Sequence, residues 1–350
     1  MRALLRCAVV ALACATLVPA SPGRAADPAK VLRIASSDIT SLDPQQGTDV
    51  YSTRVASALF EGLYQYDYLS EPAKIVPNTA AGMPDIGDGG RAWTIRLQRG
   101  IRFADDPAFK GKPRELVAGD YVYAIKRAID PTLRGGGDPA LSDLIVGARA
   151  VVDAAKRGRF DYDAPIAGLT APDAHTLVIR TTAVDYTLLE RLAGLAMMAV
   201  AREAVEAAGA DVMTRPVGTG PYTLKEWRKG SRIVLEANPH YRKLAFPASS
   251  APRHRALVES MRGVALPAIG RIEISIIEEF VPMLLAFEKG ELDYIPMGGS
   301  TLGRMLQDGK LKPELAAKGV TRVRQVLPYI VFVYFNMEDR DVGGYAPERV

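Results

Sequence analysis

The sequence predicts an α/β chain of the mixed α+β kind, and three observations carry that prediction. Short runs of alternating apolar and polar residues recur along it, and stretches of helical spacing lie between them. The composition, 48% hydrophobic and 24% charged, is that of an ordinary globular protein. A length of 350 residues leaves room for about two domains.

Val31-Leu32-Arg33-Ile34 reads as the first strand. A helix over Ser52–Glu61 follows, with Val55, Ala58 and Leu59 on one side and Gly62 as its stop. In the strand Trp93–Leu97, Trp93, Ile95 and Leu97 share one face while Thr94 and Arg96 share the other. Asp105–Glu115 is the clearest surface loop. Asp138-Pro139 supplies a cap and a first-turn proline, which starts a long helix toward Lys156. His175–Ile179 is a further strand. Tyr222–Leu224 and Arg232–Leu235 flank Lys229-Gly230 as a hairpin, and Arg271–Ile277 is another strand. A helix over Glu279–Lys289 ends at Gly290, and Tyr329–Phe335 reads as a last strand. There is no internal repeat and no low-complexity tract.

The N-terminus reads as an export leader, residues 1–26. Arg2 and Arg6 are basic, Ala8–Val18 is almost wholly apolar, and Pro19, Pro22, Ala20, Ala25 and Ala26 follow. The apolar run has 11 residues, and a membrane span needs about 20. Cys14 suggests lipid attachment, but Ala11-Leu12-Ala13-Cys14 fits a lipobox poorly. Both cysteines, Cys7 and Cys14, lie in the leader, so no disulfide is expected beyond it. The leader also carries Arg2, Arg6 and Arg24 and no acid, so its removal takes the net charge from +4 to +1. That balance gives no reason to expect a nucleic-acid partner, and no later stretch is apolar enough for stable membrane insertion.

Catalytic motifs are absent: no Gly-x-Ser-x-Gly elbow, no His-Glu-x-x-His and no Walker loop. Gly218-Thr219-Gly220 resembles the start of a dinucleotide loop, but Pro221 and a strand follow it where a helix is required. Gly135-Gly136-Gly137 reads as a flexible turn. His175, His240 and His254 lie far apart without ligand spacing, so no metal, cofactor or catalytic residue is expected. Glu278-Glu279, at a strand–helix junction, complements the positive helix end.

The ordered residues resemble the family 5 extracellular solute-binding proteins, the oligopeptide and dipeptide receptors of ABC importers. The first block is Leu32-Arg33-Ile34-Ala35 with Ser41-Leu42-Asp43-Pro44 and Leu59-Phe60-Glu61-Gly62-Leu63-Tyr64. The second runs from Trp93 to Phe103, then Asp120–Arg127 and Asp130-Pro131. The third is Pro216-Val217-Gly218-Thr219-Gly220-Pro221-Tyr222, with Trp227, Gly230 and Asn238-Pro239-His240-Tyr241-Arg242. The fourth spans Ile272 to Ile295 and includes Phe287–Asp293. Gly218 to Pro221 suits a tight re-entry into a sheet. The pattern is broken at Val117, where the family usually has a capping Thr, at a cost of about 1 kcal/mol.

The resemblance implies a two-lobed fold of the periplasmic-binding-protein type, in its large peptide-binding form, with the second lobe incomplete. Residues 27–65 and 181–275 would form the core of the first lobe, 66–180 an extra domain attached to it, and 276–350 the start of the second lobe. Most of that lobe would lie beyond Val350, so the chain is expected to be a fragment or a shortened product. The implied function is periplasmic capture of a small ligand, an oligopeptide or dipeptide, and delivery to an inner-membrane ABC permease by hinge closure; the protein would act as a monomer. Nickel, haem or a sugar oligomer are alternative ligands, presentation to a sensor an alternative role, and a periplasmic hydrolase an alternative class. The loop Ser41–Tyr51 and the strand at Asp293-Tyr294 are the candidate cleft wall, which makes Tyr51, Asp293 and Tyr294 the candidate ligand-binding residues. Tyr51 and Tyr294 fit equally well as packing residues, and Asp293 as a solvated strand end.

Overall fold

The computed structural model describes residues 26–47, 49–296, 302–323, 333–341 and 344. The expected leader as far as residue 25, with both cysteines, lies outside them, as does most of the strand expected over Tyr329–Phe335.

Strand β1 (Asp27–Ser36) is followed by helix α1 (Val50–Leu59). Apolar spacing placed the helix start at Ser52; the chain starts it earlier, because Asp49 accepts a hydrogen bond from the Ser52 N–H at 2.7 Å. The helix also stops earlier, at Phe60, which turns extended before Gly62 is reached. Strands β2 (Tyr64–Tyr66) and β3 (Ile75–Pro77) form a hairpin, and β4 (Asp85–Gly87) and β5 (Ala92–Arg96) pair antiparallel. Trp93 and Ile95 are buried and Arg96 exposed, the alternation the sequence predicts. Helix α2 (Ala118–Ile129) lacks a capping oxygen at Val117, but Asp120 still accepts from the Val117 N–H at 2.8 Å. Half of the capping box survives. The expected surface loop Asp105–Glu115 is anchored at Phe109, which is buried.

The long helix expected from Asp138 to Lys156 is broken into α3 (Pro139–Leu144) and α4 (Ala148–Ala155). Asp138 caps the first as expected. The break follows from the neighbouring sheet: the Val146 N–H donates to the Arg180 carbonyl and the Gly168 N–H to the Val146 carbonyl. These bonds replace the ones a continuous helix would make. Strands β6 (Leu169–Asp173) and β7 (Thr176–Arg180) complete an antiparallel sheet of order β4-β5-β7-β6. Helix α2 packs on it, with Tyr121, Ile125 and Ile129 buried in the same core as Ile95, Leu177 and Ile179.

After α5 (Leu188–Leu192) and α6 (Arg202–Ala208), strands β8 (Tyr222–Arg228) and β9 (Arg232–Ala237) form the expected hairpin at Lys229-Gly230. An arm the sequence did not reveal comes next. It contains β10 (Leu244–Ala245), α7 (Arg255–Ser260) and β11 (Ala265–Leu266), and β10 pairs with β11 to close it. Strand β12 (Ile269–Ile276) and helix α8 (Phe280–Glu288) follow, the helix ending before Gly290 at φ 77°.

A second sheet has the order β1-β12-β9-β8, with β1 and β12 parallel. On the other edge of β1, Tyr294 pairs in parallel with Ile34. From β12 through α8 to Tyr294 the chain therefore crosses over β1, so three successive parallel segments end at one edge. Ile233, Leu235 and Ile274 of this sheet are buried with Val55, Leu59 and Phe60. The contacts divide the chain after Ile295, so α8 and Tyr294 stay with this sheet.

The unit beginning at Pro296 contains, among its described residues, α9 (Leu302–Met305), a hairpin of β13 (Leu306–Gln307) and β14 (Lys310–Leu311), and α10 (Pro313–Ala317). Its turn, Asp308-Gly309, has φ of 50° and 73°, the positive pair a two-residue hairpin requires.

Candidate ligand-binding edge

Asp43 and Glu61, the carboxylates of the first sequence block, lie in the interior. Asp43 is ion-paired with Arg127, both nearly inaccessible, and also accepts from Gln46. Arg127 donates in addition to Gln45, whose amide donates to the Ala196 and Met198 carbonyls. One ion pair thus ties the loop after β1 to α2 and to the segment after α5. Glu61 does the same for a second set of segments. It accepts from Arg242 at 2.6 Å with both oxygens, from Thr219 at 3.0 Å and from Tyr241 at 3.2 Å. Burial pushes its carboxyl above the usual range, and the contacts with Arg242, Thr219 and Tyr241 offset that only in part.

Gly218 and Gly220 belong to this second tie, for a reason other than turn geometry. A Cβ on Gly218 would lie 2.1 Å from the Leu59 carbonyl oxygen, and one on Gly220 2.6 Å from it. The Gly220 N–H donates to that same carbonyl at 2.9 Å. These glycines let two backbones touch, so that Thr219 can reach Glu61.

The carboxyl ends of the parallel segments form a different environment. In an open sheet with parallel strands, ligands bind outside those ends. Here the loop after β1 is held by Asp38, which accepts from the Gly230 N–H at 2.9 Å and so fastens it to the β8–β9 turn. Asp49 accepts from the Ser52 hydroxyl at 2.6 Å and from the Thr40 hydroxyl at 2.7 Å. Partial burial works against the ionised Asp49 carboxyl, but these bonds outweigh it and hold it below the usual carboxylate range.

The three candidate residues have unequal surroundings. Tyr51 is half-buried and packs on the core of the β1 sheet. Tyr294 is 61% exposed. Asp293 is neither a free acid nor a merely solvated strand end. It receives the Arg33 guanidinium at 2.8 Å and the Arg33 N–H at 2.7 Å, and the hydrogen bond from Arg33 holds its carboxyl below the usual range. Tyr294 and Asp293 are brought to β1; neither is hydrogen-bonded to Tyr51 among the described residues. Sequence reasoning passed over Glu278 and Glu279 as helix-end complements. Both are exposed just beyond β12, and neither side chain makes a hydrogen bond or ion pair among the described residues. The signal that could have marked them was their place: an acid pair directly after a parallel strand.

No group of three or more His, Cys, Asp or Glu side chains among the described residues is arranged to hold a metal ion. His175 lies 3.2 Å from Glu115 and His240 2.9 Å from Asp105. No described helix is long and apolar enough to cross a membrane.

The mixed α/β architecture, with parallel segments ending at one edge of a sheet, is shared with peptide-binding proteins of known structure. The model of the bacterial extracellular solute-binding proteins, family 5, matches residues 74–344, and the chain belongs to that family. It is 31% identical over 216 residues to the periplasmic oligopeptide-binding protein OppA of Escherichia coli (strain K12), which covers 60% of this chain and 36% of that protein. It is 25% identical over 274 residues to the glutathione-binding protein GsiB of the same strain, covering 78% and 47%. Among solved structures, the pheromone receptor PrgZ matches with a TM-score of 0.62 at 20% identity, over 80% of this chain and 49% of that one. The Escherichia coli murein tripeptide binding protein MppA matches with 0.57 at 25% identity, over 75% and 45%. The chain spans less than half the length of each of these proteins.

Proposed function

We propose that the chain supplies part of a periplasmic receptor that captures a peptide and hands it to an ABC permease by hinge closure, without chemical change to the ligand. The observation that carries this reading is the family match over residues 74–344, whose relatives include binders of oligopeptides, glutathione and a murein tripeptide. Residues 27–65 and 181–275 would form the first lobe, with 66–180 attached to it; α8 and Tyr294 pack with that lobe. The ligand would lie along the carboxyl edge of the parallel strands. There Tyr294 offers an exposed ring, Tyr51 backs the loop, and Glu278 and Glu279 are free to receive an ammonium group. Asp293, already held by Arg33, would position the strand that carries Tyr294.

Calorimetric titration of the full gene product with trialanine tests this. One-to-one binding with unchanged peptide recovered by mass spectrometry is expected. Tyr294→Ala, and Glu278→Gln with Glu279→Gln, should each weaken it about tenfold, or about 1.4 kcal/mol. Hydrolysed peptide would replace the reading with a hydrolase, and absence of peptide binding would remove it.

A further inference from the structure

A cavity lies at the opposite end of the β1 sheet from the candidate ligand edge. Its volume is about 730 Å³, within the range of small-molecule sites. It is bordered by the first residues of β8 and β12, Tyr222 and Ile269. The carboxyl edge begins at Ile276, roughly 23 Å farther along β12 at about 3.3 Å per residue. The closed arm from Leu244 to Leu266 forms one wall. It is fixed by an edge-to-face contact of Phe246 with Tyr68, centroids 5.9 Å apart, and by an ion pair of Arg253 with Glu71 at 2.7 Å.

The lining is aromatic and apolar: Tyr66, Tyr68, Tyr222, Tyr241, Phe246 and Met261 contribute. The Arg242 guanidinium is already held by Glu61 and by Asn78 at 2.6 Å. Asp67 accepts from the Leu69 N–H at 2.9 Å. A peptide would find no free cation here for its carboxylate, which in an apolar pocket is costly to leave unpaired. The Tyr66 and Tyr68 hydroxyls and the Gln65 amide have no hydrogen-bond partner among the described residues. They remain available to a hydroxyl or carbonyl.

We propose that this cavity, walled by the arm between β9 and β12, is a second binding site that takes a small uncharged ring-bearing ligand, separate from the peptide edge. Rings would stack against Tyr68 and Phe246, where aromatic pairs add to the stabilisation from the area they bury.

The test is fluorescence titration of the full chain with N-phenyl-1-naphthylamine, an uncharged aromatic probe. A saturable one-site rise is expected, weakened at least tenfold by Phe246→Ala, which opens the wall, and by Met261→Trp, which fills the cavity. Tyr294→Ala should leave it unchanged, and trialanine should not compete. Circular dichroism and melting temperature establish that each variant is folded. Absence of a saturable rise, or folded Phe246→Ala and Met261→Trp chains that both bind like the parent, would overturn the site. Competition by trialanine would overturn its separateness.

Discussion

The interior ties and the carboxyl edge of the same sheet use charge in opposite ways. Glu61 and Asp43 are sealed from water and matched to Arg242 and Arg127, so each carboxylate has one structural task and no capacity left for a ligand. At the edge, Glu278 and Glu279 are exposed and have no ion-pair partner among the described residues, and Tyr294 is exposed. The contrast separates what makes this chain a member of its family from what would make it bind a particular solute. The buried signature residues Asp43, Glu61, Gly218 and Gly220 hold segments distant in sequence together; Glu278, Glu279 and Tyr294 lie in the fourth block but face solvent.

The largest effect that could break this contrast is at the ties. Glu61→Ala leaves a buried guanidinium without its partner and should lower stability by about 3–5 kcal/mol. A Glu61→Leu/Arg242→Met pair, which removes both charges, should recover part of that loss, as read from urea unfolding midpoints. A Glu61→Ala chain as stable as its parent would show that the tie does not hold the fold. Next comes Gly218→Ala. Its Cβ meets the Leu59 carbonyl at 2.1 Å, and forcing the backbones apart should cost about 1–3 kcal/mol. The same substitution at Gly82, where a Cβ would meet nothing within 4 Å, should stay within about 0.5 kcal/mol.

At the edge the effects are smaller and depend on pH. Asp49→Ala removes the cap of α1 and should cost about 1 kcal/mol. Because the folded Asp49 carboxyl titrates below its unfolded value, its contribution is complete above about pH 4 and is lost as pH falls through the folded value. Melting temperatures should therefore converge for parent and Asp49→Asn at low pH and diverge above pH 4. Tyr294→Ala, at an exposed position, should change stability by no more than about 0.5 kcal/mol.

Legibility in the sequence followed the range of the interaction. Strands with strict alternation, such as Trp93–Leu97, and the hairpin at Lys229-Gly230 were readable because their pattern is local. The helix expected from Asp138 to Lys156 misled for the same reason: its local signals were real, and the bonds from Val146 to Arg180 and Gly168 that break it come from a distant part of the chain. The glycines of Gly218-Thr219-Gly220 suggested a turn, whereas their function depends on Leu59. The arm from Leu244 to Leu266 has no periodicity to announce it; only the pairing of β10 with β11 defines it. Asp293 could be placed at a strand but not paired with Arg33, since the two meet 260 residues apart.

Hydrogen–deuterium exchange of the full gene product with and without trialanine puts the division of labour to the most direct test. Added protection should fall on the loop from Asp38 to Tyr51, on Ile277–Glu279 and on Asp293-Tyr294, with none at Glu61, Thr219 or Arg242. Protection centred on Glu61, Thr219 and Arg242, with the carboxyl edge unchanged, would contradict the account.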